Sequence, residues 1–232
     1  MKTKAIFITG TGTDIGKTYV SALLAKKLCQ LHKKAAYYKA AMSGNLRRKD
    51  GTLIPGDALF VKNMAGLSQA LDTMCPYVYE TAVSPHLASQ LEGQPVDLAV
   101  VRKNFAALCG HYDYIIVEGS GGICCPLSVE NKLLQLEDVI KALGLASILV
   151  ASTKLGTINN VVLTKEYMDG HQLPLVGTIF NHYQPGNIME EDNIHMCEKL
   201  TGLPTLAKVT PQTTDLTLTN DVIEALFQEV KL

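Results

Sequence analysis

No stretch of this sequence approaches the ~18 consecutive apolar residues that a membrane-spanning helix needs. Its N-terminus, M-K-T-K-A-I-F-I-T-G, holds a four-residue apolar run before a glycine turn, too short for the core of a signal peptide. A cytoplasmic protein that does not enter membranes is therefore expected. An excess of one charge is also missing: 21 Lys and Arg against 22 Asp and Glu leave a net charge of -1. No basic run gathers that would neutralise a phosphate backbone, which argues against nucleic acid as a partner. The six cysteines contain no C-x-x-C pair, and the adjacent Cys124 and Cys125 have a spacing that disfavours an ordinary disulfide. They read as reduced, structural thiols. The six histidines show no H-x-x-x-H spacing, and Asp192 with His195 reads as a surface pair on a helix. Repeats, low-complexity tracts and linkers are absent as well.

What is present is an ordinary globular composition, 47% hydrophobic and 19% charged over 232 residues, enough to bury one sizeable core. A single domain over 1–232 is expected. Apolar, β-rich runs (K-A-I-F-I-T, A-A-Y-Y-K, D-Y-I-I-V-E, A-S-I-L-V-A, L-V-G-T-I-F-N) alternate with helical stretches expected over 17–32, 57–65, 97–109, 135–143, 158–169, 188–200 and 219–230. The strand runs are largely unalternated, as they must be when helices cover both faces of a sheet. This pattern predicts an α/β fold, a doubly wound and mostly parallel sheet with helices on both faces. Ligands in such folds lie beyond the carboxyl ends of the strands.

The first strand runs into T-G-T-G-T-D-I-G-K-T at residues 9–18. The usual phosphate loop places a glycine five residues before its Gly-Lys pair; here that place is Thr11, with Gly10 and Gly12 on either side. The context still fits: a strand, a Gly-rich turn, then a helix opened by Gly16-Lys17-Thr18. Backbone N–H groups along Thr13, Asp14, Ile15 and Gly16 face an anion, Lys17 adds a cation, and the Thr18 hydroxyl is a magnesium ligand. A dinucleotide loop on Gly10 and Gly12 is the competing reading, but it gives Lys17-Thr18 no role. Further candidates end other strands. Lys39 closes the second and is followed by Ser43-Gly44. Asp57, in P-G-D-A-L, either caps a helix or faces a metal. Glu118 leaves D-Y-I-I-V-E straight into G-S-G-G, where nucleotide-binding sheets carry an acidic residue for magnesium.

In this order G-T-G-T-D-I-G-K-T, Y-Y-K-A-A-M-S-G, P-G-D-A-L and V-E-G-S-G-G, followed by P-Y-V-Y, S-P-H-L-A, K-L-G-T-I-N and I-F-N, resemble the dethiobiotin synthetases. The resemblance runs from about residue 4 to about residue 211. It implies ATP-dependent ring closure of 7,8-diaminopelargonate with CO₂ in biotin synthesis, through a carbamate and a carbamic-phosphoric anhydride, with Mg²⁺. By the same resemblance Lys39 steadies the carbamate, Lys17 and Thr13 attend the transferring phosphate, and Ser43 touches the substrate. Thr18, Asp57 and Glu118 form the magnesium shell. Asn181 reads the adenine edge and Val209, Thr210 and Pro211 line it, although the chain departs from the family pattern with Gln212-Thr213-Thr214. Family members are homodimers, and Gly156, Thr157, Ile158 and Asn159 are expected to hold the substrate's carboxylate from the neighbouring subunit. Two rivals remain. A cofactor-amidating ligase would bring a glutaminase domain for which the chain has no room. A partitioning ATPase would carry a lysine at the front of the loop, where this chain has Thr9-Gly10-Thr11.

Overall fold

The computed structural model describes residues 2–130 and 132–231. Strands β1 (Lys4–Gly10), β2 (Ala35–Lys39), β3 (Tyr114–Glu118), β4 (Ser147–Ser152), β5 (Leu175–Asn181) and β6 (Thr205–Val209) form one parallel sheet in the spatial order β6-β5-β4-β1-β3-β2. The helices are α1 (Lys17–Gln30), α2 (Gly56–Ala65), α3 (Pro85–Leu91), α4 (Leu98–Leu108), α5 (Leu136–Leu143), α6 (Thr157–Gly170), α7 (Ile188–Thr201) and α8 (Asn220–Leu226). The chain leaves β1 in one direction to build β2 and β3, then returns past β1 to build β4, β5 and β6. Ligands of open α/β sheets settle where the strand order reverses in this way, in the crevice beside the end of β1.

The period of two along each strand divides the core between the faces. Ile6 and Ile8 of β1 join Tyr37, Ile116, Ile148 and Val150 beneath α1 and α2, while Phe7 joins Tyr38, Ile115 and Val117 beneath α4 and α5. Both faces are covered, which explains the continuous apolar runs. Leu149, Ala151 and Phe180 make a third cluster with Val161, Ile194 and Cys197 of α6 and α7. Side chains mark several helix starts: Asp97 accepts from the Ala99 N–H at 2.7 Å, and Asp138 reaches back to the Gln135 N–H at 2.8 Å.

Three features differ from the sequence expectation. The helix expected over 219–230 stops at Leu226; Phe227 then adopts an extended backbone (φ −93°) and sets its ring edge-on against Tyr114, centroids 5.1 Å apart. Gln228–Glu229 follow as β7, antiparallel to Lys4 and Ala5, and supply the ladder partners that β4 provides only from Phe7 onward. Helix α3 was not expected although Ser84-Pro85 is a start signal, with proline at its first position. Strand β6 was also missed, because its partly exposed T-L-A-K-V resembles an edge loop more than a buried run.

Candidate active site

The carboxyl ends of β1, β2, β3 and β5 converge on a cleft of about 1140 Å³. Its floor is the turn between β1 and α1. Gly16 takes a left-handed conformation (φ 91°, ψ 29°) as the residue before α1, and with Lys17 and Thr18 it puts the opening of that helix, the end that suits an anion, in the lining of the cleft. The turn is held from outside: Asn181, at the end of β5, donates its side-chain N–H to the Ile15 carbonyl at 2.9 Å. A Cβ on Gly16 would lie 1.9 Å from that Asn181 nitrogen. Ile15 itself does not line the cleft; its side chain lies across Gly10, where a Cβ would come within 2.3 Å of Cδ1. Thr13, Asp14, Gly16, Lys17 and Thr18 do line it.

Lys17 is buried and its ammonium folds back to the Gly12 carbonyl at 2.7 Å. Burial, then the Lys39 charge, pull it down to about 8, against a smaller opposing effect of Glu118. An arriving phosphate would restore the charged form. Nucleotide binding at about pH 8.5 is therefore expected to take up protons, and at about pH 6.5 to take up none through this group. Calorimetry in buffers of differing ionisation enthalpy measures this; binding without uptake at the higher pH would mean that Lys17 does not meet the phosphates.

Beside Lys17 lies a compact charge cluster. Lys39 Nζ donates to Asp57 Oδ2 at 2.7 Å and to Glu118 Oε1 at 2.8 Å, and the Thr18 hydroxyl donates to the same Oε1 at 2.8 Å. The side chains of Lys39 and Glu118 are 8% and 0% exposed, against 42% for Asp57. Burial alone would discharge Lys39, but the Glu118 and Asp57 carboxylates outweigh it and raise its pKa above the ordinary lysine value. β2 and β3 set this geometry, since Lys39 and Glu118 are direct partners in the parallel register. Asp57 does not cap α2. Pro55 stands at the cap without a side-chain bond, and the Asp57 carboxylate goes to Lys39. Glu118 Oε1 thus meets both the Thr18 hydroxyl and the Lys39 ammonium, which in turn reaches Asp57, so the three residues bring hard oxygen ligands of the kind that Mg²⁺ takes into one cluster.

Ser43 lines the cleft. Its loop is tied by Asn45, which sequence reasoning missed: the Asn45 amide donates to the carbonyls of Met42 (3.0 Å) and Tyr79 (2.8 Å), and its oxygen accepts from the Gly56 N–H at 2.8 Å. One buried amide therefore fixes Ser43 relative to the helix end that carries Asp57. Ser120 is a second omission; it lines the cleft and donates to the Ala41 carbonyl at 2.8 Å. Glu190 is a third, buried and accepting from Thr153 Oγ1 (2.6 Å) and the Gln184 N–H (2.9 Å), so that it ties the end of β4 to the loop after β5. None of the three stands in a sequence pattern that distinguishes it from an ordinary loop or helix residue.

On the far side, Asn181 and Pro211 line the cleft, with Val209 buried at the end of β6. The Thr210 N–H donates to Thr213 Oγ1 at 2.9 Å, and the Thr213 carbonyl accepts from the Tyr19 hydroxyl of α1. Beyond Pro211 the chain turns away to bury Leu216, Leu218 and Ile223 in the core over α1. Gly156, Thr157, Ile158 and Asn159 open α6 at the end of β4 but do not line this cleft; Gly156 is left-handed (φ 94°), and the neighbouring Leu155 is 85% exposed.

The AAA domain family model matches residues 4–218. Among solved structures, the septum site-determining protein MinD of Pyrococcus horikoshii, complexed with Mg-ADP, superposes with a TM-score of 0.55 at 17% identity, over 90% of this chain and 82% of that one. A ParA family ATPase of Chlorobium tepidum gives 0.55 at 14% identity, over 91% and 85%. These establish the fold. In sequence, the ATP-dependent dethiobiotin synthetase BioD of Brachyspira hyodysenteriae is 45% identical over 226 residues, 97% of this chain and 99% of that one. The synthetase of Clostridium novyi is 45% identical over 205 residues, 88% and 86%. Spanning nearly the whole length of such relatives, and carrying a buried lysine between two carboxylates beside its phosphate loop, the chain belongs to the ATP-dependent dethiobiotin synthetases.

Proposed function

We propose that this protein forms dethiobiotin from 7,8-diaminopelargonate, CO₂ and ATP in the cytoplasm. The observation that carries the reading is Lys39, a second buried ammonium on the acceptor side of the phosphate loop, for which simple nucleotide hydrolysis has no use. One substrate amine adds to CO₂ and loses a proton, giving a carbamate. A carbamate oxygen then attacks the γ-phosphorus, forming a P–O bond as the bond to ADP breaks. The second amine attacks the carbonyl carbon of this mixed anhydride, closing the ring and releasing phosphate. The difficult moment brings two anions together, a repulsion of several kcal/mol in a partly desolvated site.

Lys39 holds the carbamate oxygen, Lys17 the β- and γ-phosphates, and Thr13 a hydroxyl toward the transferring group. The loop residues Thr13 to Thr18 enclose the phosphates with N–H groups. Thr18, Asp57 and Glu118 hold Mg²⁺, which when bound screens the phosphate charge and orients the γ-phosphate. Ser43 contacts the diamine. Asn181, with Val209, Thr210 and Pro211, recognises the adenine, and the buried course of the chain after Pro211 favours ending that site there. The α6 opening, Gly156 to Asn159, does not line its own cleft, and we assign it to the carboxylate tail of the substrate bound by the second subunit of a homodimer.

The test is product formation from diamine, bicarbonate and MgATP, set against ATP hydrolysis without diamine. Turnover should depend on all three, and vigorous hydrolysis alone would instead favour a switch ATPase. Asp57→Ala and Glu118→Ala should raise the magnesium requirement far more than the diamine requirement, and an unchanged magnesium dependence would remove them from the metal shell. Specific activity should fall on dilution into monomers followed by sedimentation; constant activity in the monomer would remove Gly156–Asn159 from the site.

A further inference from the structure

Behind the cluster lies a buried phenol to which the chemistry above gives no part. Tyr37 occupies the middle of β2, on the same strand face as Lys39 two residues later, and is 0% exposed. Its hydroxyl donates to Glu118 Oε2 at 2.9 Å. The two oxygens of Glu118 are thereby divided. Oε1 takes Thr18 and Lys39 from the cleft side, whereas Oε2 takes, among the described residues, Tyr37 alone. The phenol keeps its proton, because burial, and then the Glu118 and Asp57 charges, push its pKa far above the ordinary tyrosine value.

Tyr37 is itself fixed from the open edge of the sheet. β2 is an edge strand, yet where a further strand would pair, Gln69, fully buried, accepts from the Tyr37 N–H at 2.8 Å and donates to the Tyr37 carbonyl at 3.0 Å. The Lys39 N–H likewise finds the Met74 carbonyl at 2.9 Å. An unpaired edge strand would twist and breathe; this one is held on both sides, by β3 along its inner edge and by Gln69 and Met74 along its outer one. Resting on the reading of Glu118 as a magnesium ligand, we propose that Tyr37 is a positioning residue for the metal site. It holds Oε2 so that Oε1 is the oxygen turned to the cation, and Gln69 holds Tyr37. A buried carboxylate left one donor short would rotate about its terminal torsion to share Lys39 between both oxygens, and the metal would then meet a ligand that must first be reoriented.

The experiment measures magnesium binding rather than turnover alone. Tyr37→Phe keeps the ring and removes the hydroxyl. Isothermal calorimetry of Mg²⁺ with the ADP-bound protein should show metal affinity about 10-fold weaker, the scale of one lost charge-assisted hydrogen bond. In steady state the magnesium half-saturation should rise by a similar factor, with KM for the diamine unchanged. Tyr38→Phe is the control: its hydroxyl donates to the Val101 carbonyl at 2.8 Å on the opposite face of the sheet, so the variant loses a comparable buried bond away from the metal. Metal affinity should not change there. Equal effects in the two variants, or unchanged affinity in Tyr37→Phe, overturn the proposal. Should Tyr37→Phe fail to fold, Gln69→Met, which keeps the hydroxyl and frees its strand, should shift metal affinity in the same direction, and no shift overturns the proposal equally. Glu118→Ala in the same titration separates the failures. Normal metal binding there would reject the metal assignment, whereas weak binding there with normal binding in Tyr37→Phe would reject Tyr37 alone. Because the titration uses ADP, it reads out whether or not the diamine is the substrate.

Discussion

Lys39→Ala is expected to keep the fold and most nucleotide affinity and to lose dethiobiotin formation by at least about 10²-fold, the loss typical when one preorganised partner of a developing charge is removed. Lys17 would be needed by any ATPase of this fold, so its loss discriminates little. Lys39 differs because its ammonium, bonded to Asp57 and Glu118 at 2.7 and 2.8 Å, is the group to which the proposed mechanism gives the carbamate anion. Lys39→Gln should recover almost nothing, since it donates a hydrogen bond without bringing charge. The same geometry requires a second effect of opposite sign. Lys39 stands between Asp57 and Glu118, and a magnesium ion held by these two carboxylates, as proposed above, would have to displace it. Lys39→Met removes that competitor and leaves two carboxylates facing each other, a repulsion that a dication relieves. Metal affinity without nucleotide should therefore rise, by about 10-fold on the scale of one displaced buried ion pair. Product assays together with calorimetry of Mg²⁺ read both. Near-normal production in Lys39→Ala would mean that the acceptor site lies elsewhere, and metal affinity no higher in Lys39→Met would mean that the ammonium and the metal do not compete.

Gly16→Ala is expected to cost nucleotide affinity about 10²-fold, while leaving most of the core intact. Two penalties combine. At φ 91° a side chain carries roughly 1–3 kcal/mol of backbone strain. In addition, the new methyl would sit 1.9 Å from Asn181 Nδ2 and 3.1 Å from its Cγ. Asn181 cannot step aside cheaply, being 3% exposed and bonded to the Ile15 carbonyl at 2.9 Å. The loop must move instead, carrying its N–H groups off the phosphates. A double-mutant cycle tests the route: Asn181→Ala alone loses the anchor of Ile15, but combined with Gly16→Ala it removes the clash, so the two losses should add to less than their sum. Strict additivity in calorimetric ATP binding would show that the backbone conformation, and not the contact with Asn181, makes glycine necessary.

Much of this was legible in the sequence because the signals are local. Unalternated apolar runs fix a sheet covered on both faces, and a glycine turn ahead of Gly-Lys-Thr fixes where phosphates go, since both follow from the behaviour of a few adjacent residues. Lys39 and Glu118 were identifiable for the same reason: each is a charged residue closing an apolar strand. What sequence could not decide was who meets whom. Asp57 had two readings, cap or cleft, and only the distance from α2 to the end of β2 chose the ion pair with Lys39. Asn181 is expected from the resemblance to read the adenine edge, but only the fold shows that one of its amide N–H groups also ties the Ile15 carbonyl, 166 residues away. Tyr37, Asn45 and Gln69 carry no sequence signal of their own, and the course of the chain after Pro211 is open from sequence. The physical reason is common to these cases. A hydrogen bond between distant residues leaves no periodicity in the chain, and a buried polar atom acquires its function from whichever partner the fold brings within about 3 Å.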